Sequence, residues 1–201
     1  MMLAQPLFKL VIIGTRLFLG LIFFTAGMAK LTHGDFFGII GPVWLEERLA
    51  PYNLGLWVQF VAWSQIVIGL LLLSQRFATL GAIMLLPLIS NILVVTVSLG
   101  WQGTPSVNAF LLMLNLFLLM ADRHKIKFLF FDDANVLHET PFRRNYARID
   151  VWWMGGSILC LMAGALHSVS SWLTYSFVAL GAALFLACAV WQYFLDRKIL
   201  K

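Results

Sequence analysis

Arg16 lies inside an apolar stretch, Val11 to Ala29, and is followed by Gly20, Phe23, Gly27 and Lys30. At about 100° per residue these five fall within a narrow arc of one helix face, so two cations and two close-approach positions point to the same neighbour. An arginine inside a membrane-spanning helix costs at least ~2.5 kcal/mol unless its guanidinium snorkels to water or finds a partner. Three receivers are open to it. One is Asp122, which ends the stripe Asn108, Asn115, Asp122 at a matching depth; the others are lipid phosphate and the oxygens of a bound ligand.

Three amides extend the polar inventory. Gln65 lies near the centre of a second apolar stretch, in line with Gly69 and Arg76; Asn91 shares a face with Pro87, Val94 and Ser98; Asn115 belongs to the stripe that ends at Asp122. Arg16, Gln65, Asn91 and Asn115 therefore form the candidate ligand-binding set, suited to a polar ligand or a quinone headgroup. The rival reading is that the amides hold helices together, through bonds that average only ~0.6 kcal/mol in membrane proteins. Pro87 frees a backbone carbonyl one turn earlier, which such groups can satisfy.

Other chemistries lack their residues. Cys160 and Cys188 form no C-x-x-C pair and are flanked by small or apolar residues, so they read as buried thiols and not as a redox dithiol. His33, His124, His138 and His167 offer no helical i, i+4 pair for a haem or metal, and His138-Glu139 reads as a solvated loop pair. Phosphate-binding glycine loops, H-E-x-x-H and G-x-S-x-G are absent. No catalytic residue and no metal ligand is assigned, and a non-catalytic subunit is favoured over a stand-alone enzyme.

The elements that must position these residues are membrane spans. With 61% hydrophobic and 11% charged residues, the chain falls far from the ~25% charged of soluble domains. Six apolar stretches approach the length that crosses a bilayer: about 8–29, 56–74, 77–98, 105–121, 151–167 and 172–195. The expected fold is an all-α polytopic bundle: a four-helix core over 1–122, a cytoplasmic interfacial loop over 123–150, and a C-terminal helix pair over 151–201. Arg16 interrupts the apolar core that a cleavable signal would need, so the first span is expected to be retained. Ser74-Gln75-Arg76-Phe77 is short enough to force an antiparallel hairpin.

Lysine and arginine in short loops mark the cytoplasmic side. With six spans, Lys9, Arg76, Arg123, Lys125, Lys127, Arg143, Arg144, Arg148, Arg197, Lys198 and Lys201 share one side, and only Lys30 and Arg48 lie on the other. Both termini are thus expected to be cytoplasmic. The +5 net charge is chiefly a topology signal with some attraction to anionic lipids. Acidic residues interrupt the basic ones, which excludes a nucleic-acid stripe.

Three further features concern partners. The loop 30–55 mixes Phe36, Phe37, Ile39, Trp44 and Leu45 with Glu46, Glu47 and Arg48, as an interfacial helix or a lid over the bundle mouth would. The run Lys127-Phe128-Leu129-Phe130-Phe131 suits rest on the inner leaflet or docking of a partner. In the last two spans Gly156, Cys160 and Gly164, and Ala179, Ala183 and Ala187, give two small-residue ridges expected to pack on each other or on another subunit.

The segment from Arg16 to Leu31, with its arginine, Gly20, Gly27 and Lys30-Leu31, resembles the opening helix of the DoxX/DoxD-like membrane proteins. Gln65 to Leu73, Arg76 and Gly81-Ala82-Ile83-Met84-Leu85-Leu86-Pro87 are similar to that family's second and third helices. The resemblance covers about 11–121. It implies a helical bundle in the bacterial cytoplasmic (inner) membrane, in a family with subunits of quinone-linked thiosulfate oxidation, proteins of thiol redox stress, chaperones and cargo receptors. Many relatives carry an acid in the second helix where this chain has Gln65, which cannot exchange a proton.

The expectation is a membrane accessory subunit tied to a quinone-linked or thiol redox system, binding a quinone or lipid-like molecule and docking a catalytic partner. The alternatives are a non-redox structural or assembly protein and, ranked below it, a small-solute transporter. Membrane lipids, another membrane or membrane-associated subunit and a second copy of the chain are the expected partners. No cofactor follows from the residues themselves; quinone is the candidate.

Overall fold

The first apolar stretch becomes a helix of 28 residues, α1 (Ala4–Leu31), with its one proline, Pro6, in the first turn and no acidic group. A computed structural model of the chain describes residues 4–40, 49–123, 125–126, 147–167 and 169–199, with the backbone alone for 4–7, 147–150 and 189–199. After a single 3-10 turn (Ala50–Tyr52) come α2 (Gly55–Leu73), α3 (Ala78–Ser98), α4 (Thr104–Ala121), α5 (Ala147–Leu166) and α6 (Ser171–Ile199). The protein is all-α, and the described residues contain no strand. Residues 41–48 of the loop 30–55, expected as an interfacial helix or a lid, the aromatic run 127–131, and His124 and His138-Glu139 lie outside the described residues.

The chain divides into two compact units, Met1–Val136 and Leu137–Lys201. In the first, α1 packs on α2, α2 on α3, α3 on α4, and α4 back on α1, closing a four-helix ring. Its interior is filled by Leu19, Ile22, Ile68, Leu72, Leu85 and Leu118, all nearly or wholly buried. The outer faces are equally apolar: Leu17, Phe18 and Leu21 on α1, Phe60 on α2, Val94 on α3 and Met113 on α4 are exposed. Helices that are apolar all round belong in hydrocarbon, where every backbone group must be satisfied within the helix.

Among the described residues, five helical segments are long and apolar enough to cross a membrane: Phe8–Leu31, Gly55–Leu73, Ala78–Ser98, Thr104–Ala121 and Ser171–Cys188. The protein is therefore a multi-pass membrane protein. The sixth expected span is shorter: the apolar part of α5 is Val151–Leu166, roughly 24 Å at 1.5 Å per residue. Arg148 and Asp150 occupy the first turns of that helix, which is why its apolar length falls short.

Close approach of α1 and α2 rests on glycine. A Cβ at Gly27 would lie 2.6 Å from the Ala62 carbonyl, and one at Gly69 would lie 2.6 Å from the Phe24 nitrogen. Gly20 faces Gly69 and Leu73. The connection between α3 and α4 turns through Gly100 and Gly103, both at positive φ (66° and 84°), where a side chain would be strained.

In the second unit α5 packs on α6. Gly156, Cys160 and the buried Gly164 lie on the packed face of α5, and a Cβ at Gly156 would meet the Gly181 carbonyl at 3.2 Å. The expected partner ridge is displaced, because Ala179, Ala183 and Ala187 are all exposed. The face that meets α5 carries Thr174, Gly181 and Cys188, which are buried. The Thr174 hydroxyl donates to the Ala163 carbonyl at 3.3 Å. A seven-residue repeat stays on one side of a straight helix better than the alanines' four-residue repeat, which drifts by about 40° each time.

Candidate functional site

Two groups of polar residues sit at opposite ends of the four-helix unit. At one end Arg16 Nη2 donates to Asp122 Oδ2 at 2.5 Å, and its Nη1 reaches the Gln75 carbonyl at 3.5 Å. The same carboxylate accepts from the Thr79 hydroxyl at 2.8 Å and from Lys125 Nζ at 3.1 Å. One carboxylate thus ties together α1, the start of α3 and the end of α4. Arg16 is 8% exposed and Asp122 5%, so each charge depends on the other for solvation. Burial alone would push the Asp122 carboxyl up, but the hydrogen bond from Thr79 and the charges of Arg16 and Lys125 outweigh it and hold Asp122 below the usual carboxylate range.

At the other end a cavity of about 340 Å³ opens between all four helices. Lys30, in the last turn of α1, turns its amine into the bundle, donating to Gln65 Oε1 at 3.0 Å and to the Ala26 carbonyl at 3.2 Å. Asn108 of α4 faces the same space, and its buried Nδ2 has no hydrogen-bond partner. The remaining wall is apolar, with Ile22 and Phe23 from α1, Val61 from α2, Ile92 from α3 and Leu111 from α4. Trp57 and Trp101 frame one end, beside a small cluster around the buried Leu49 and Val58. The loop after α1 contributes Ile40; its backbone folds back on the helix, where the Ile39 N–H donates to the Thr25 hydroxyl at 3.4 Å.

The four candidate ligand-binding residues are thereby separated. Gln65 lines the cavity; Arg16 is at the opposite end, engaged by Asp122. Asn91 does not join either group: it is exposed on α3, because Ile89 and Ile92, on the opposite side of that turn, take the inward positions. Asn115 is fully buried and donates from Nδ2 to the Ala82 carbonyl at 3.0 Å, next to the carbonyl that Pro87 frees, while its Oδ1 has no partner. It joins α4 to α3 and is not part of the cavity wall. The stripe Asn108, Asn115, Asp122 therefore does three different jobs along one helix face.

Lys30 and Asn108 were legible on the Arg16 arc and at the head of the Asn108–Asn115–Asp122 stripe, though neither is among the four expected binding residues; Lys125 was legible only as a cytoplasmic cation, and Thr79 not at all. Lys30 carried a usable signal: a cation in the last turn of an apolar helix, on the face of Gly20 and Gly27. Thr79 carried none, since its partner lies 43 residues away.

No family model matches the chain, and no solved structure matches it. A curated protein does: YwoB of Bacillus subtilis (strain 168), described as uncharacterized, is 31% identical over 124 residues, a match that covers 57% of this chain and 79% of that protein. At that identity and coverage, the chain belongs to the same family as YwoB.

Proposed function

We propose that this protein is an accessory membrane subunit in the DoxX style, whose four-helix unit holds a quinone or lipid-like molecule. The observation that carries this reading is the cavity: apolar walls from four helices, with an amine, a carboxamide and an unpartnered amide N–H converging from Lys30, Gln65 and Asn108. Small-molecule sites have this composition, a mostly apolar cleft of about 300–1,000 Å³ with a few placed polar groups. In the orientation set by the basic loops, the cavity opens towards the outer face and the Arg16–Asp122 cluster lies at the cytoplasmic face. The ligand is read as held, not transformed, since among the described lining residues no pair of groups is arranged as acid and base or as nucleophile and base. The cytoplasmic segment 123–150 is the docking element for a catalytic partner.

The test is extraction in mild detergent followed by mass spectrometry of bound small molecules and proteins. A quinone or lipid at near-unit stoichiometry in the native protein, lost in Val61→Phe, supports the reading, because Val61 lines the cavity and the larger ring occupies it. A stable protein partner with an empty cavity would move the assignment to a structural or assembly role.

A further inference from the structure

The cavity contains one formal charge among its described lining residues, the Lys30 ammonium, and no carboxylate. That amine is turned inward, yet both of its partners are neutral oxygens, those of Gln65 and Ala26. A cation withdrawn from water is costly unless an opposite charge or several oxygens compensate it. The other intramembrane cation shows the contrast: Arg16 has a carboxylate of its own. Around Lys30 the remaining polar groups also favour an acceptor. Asn108 Nδ2 is an unused donor, and the first turn of α4, which borders the cavity at Gly103 and Thr104, has no side chain capping it. A helix start favours negative charge. Beyond this polar corner the walls are hydrocarbon, from Phe23 to Leu111.

Resting on the reading of this cavity as a ligand site, we infer that its occupant is a single-chain amphiphile with an oxyanion head, a fatty carboxylate, whose head pairs with Lys30 and accepts from Asn108. The apolar walls take the start of the acyl chain. A neutral quinone carbonyl accepts the same hydrogen bonds but leaves the ammonium without a counter-charge, and a free inorganic anion leaves the hydrocarbon walls unfilled.

The experiment titrates nitroxide-labelled stearate, its methyl ester and a short-tailed quinone against the purified full-length protein in maltoside detergent at pH 7. The immobilised fraction of the label is read by electron paramagnetic resonance, with the quinone and inorganic phosphate as competitors. The acid is expected to bind at least tenfold more tightly than the ester. Lys30→Gln should abolish that difference and Lys30→Arg, which keeps the charge, should restore it; circular dichroism and size-exclusion profiles verify that both variants are folded. Equal binding of acid and ester, or a preference for the acid that survives Lys30→Gln, overturns the oxyanion assignment while leaving the cavity as a ligand site. Displacement of the acid by millimolar phosphate overturns the fatty chain as the recognised feature. If acid, ester and quinone all fail to bind the native protein, the ligand-site reading itself falls.

Discussion

Asp122 is the residue on which the polar end of the four-helix unit turns, because its one carboxylate accepts from Arg16, Thr79 and Lys125. Breaking a buried pair from one side leaves the other charge stranded, at a cost of about 3–5 kcal/mol. Arg16→Gln should cost about 3 kcal/mol, the lower end of that range, since Lys125 and Thr79 still serve the carboxylate. The double variant Arg16→Gln/Asp122→Asn should lose less than the sum of the singles, with a coupling of about 1–3 kcal/mol in unfolding from detergent; strict additivity would exclude the pair as an energetic unit. A pH dependence follows with a definite sign. A carboxyl held below its usual range stabilises the fold at pH values above the unfolded value of about 3.9 and loses that contribution as pH falls through its own lower value. The stability gap between the native protein and Asp122→Asn should be flat from pH 8 to pH 5 and close only below about pH 4. Asp122 was legible as one of three receivers for Arg16, because depth in a bilayer is a one-dimensional coordinate that residue counting supplies; the Gln75 carbonyl was not. Lys30 and Gln65 were both visible as polar residues in apolar helices, but their hydrogen bond depends on the rotation of α1 against α2, which counting does not give.

That rotation is set by glycines, and at the scale of helices they give the sharpest tests. Gly69→Ala would put a methyl group 2.6 Å from the Phe24 nitrogen and 2.8 Å from the Gly20 carbonyl, atoms of a backbone that cannot step aside. Overpacking of this kind costs about 1–3 kcal/mol, and Gly27→Ala should behave alike. Gly155→Ala meets open space, so the ordinary helical preference for alanine applies and stability should be unchanged or higher by up to ~1 kcal/mol. Equal melting temperatures for Gly69→Ala, Gly155→Ala and the parent would refute the packing of α1 on α2. In the C-terminal pair the small-residue pattern was legible on α5, but on α6 the alanine ridge is not the face that meets α5. Alanines spaced by four look like a packing ridge whichever way they point, and only the contact itself shows that Thr174, Gly181 and Cys188 take the inner side. Ala183→Leu should accordingly leave thermal stability within about 0.5 kcal/mol of the parent, whereas Gly156→Leu should lower it.

Considered whole, the molecule sets two polar clusters at opposite ends of an apolar ring of helices, and the membrane orientation decides which solution each one meets. The all-α bundle was legible in the sequence because hydrocarbon leaves helices as the only economical way to satisfy a backbone from within. The cavity was not, because it arises where four inward faces fail to fill space, and that failure is a property of the assembled ring. Orientation is argued from charge. Eleven of the 14 lysines and arginines fall on one side only if the chain crosses six times, which requires the short apolar part of α5, Val151–Leu166, to cross with its flanks drawn into the headgroups. If α5 instead remained at the surface, α6 would cross alone and the C-terminal Arg197, Lys198 and Lys201 would face the opposite side from Arg123 and Lys125. Single cysteines placed at Phe37, Gly103, Ser171 and Lys201, in a background where Cys160 and Cys188 are replaced by alanine, separate the two cases. With six crossings, a membrane-impermeant maleimide labels Phe37, Gly103 and Ser171 in intact cells and labels Lys201 only after permeabilisation. Labelling of Lys201 in intact cells together with protection of Ser171 would fix the number of crossings at five and carry the C-terminus to the cavity side of the bundle.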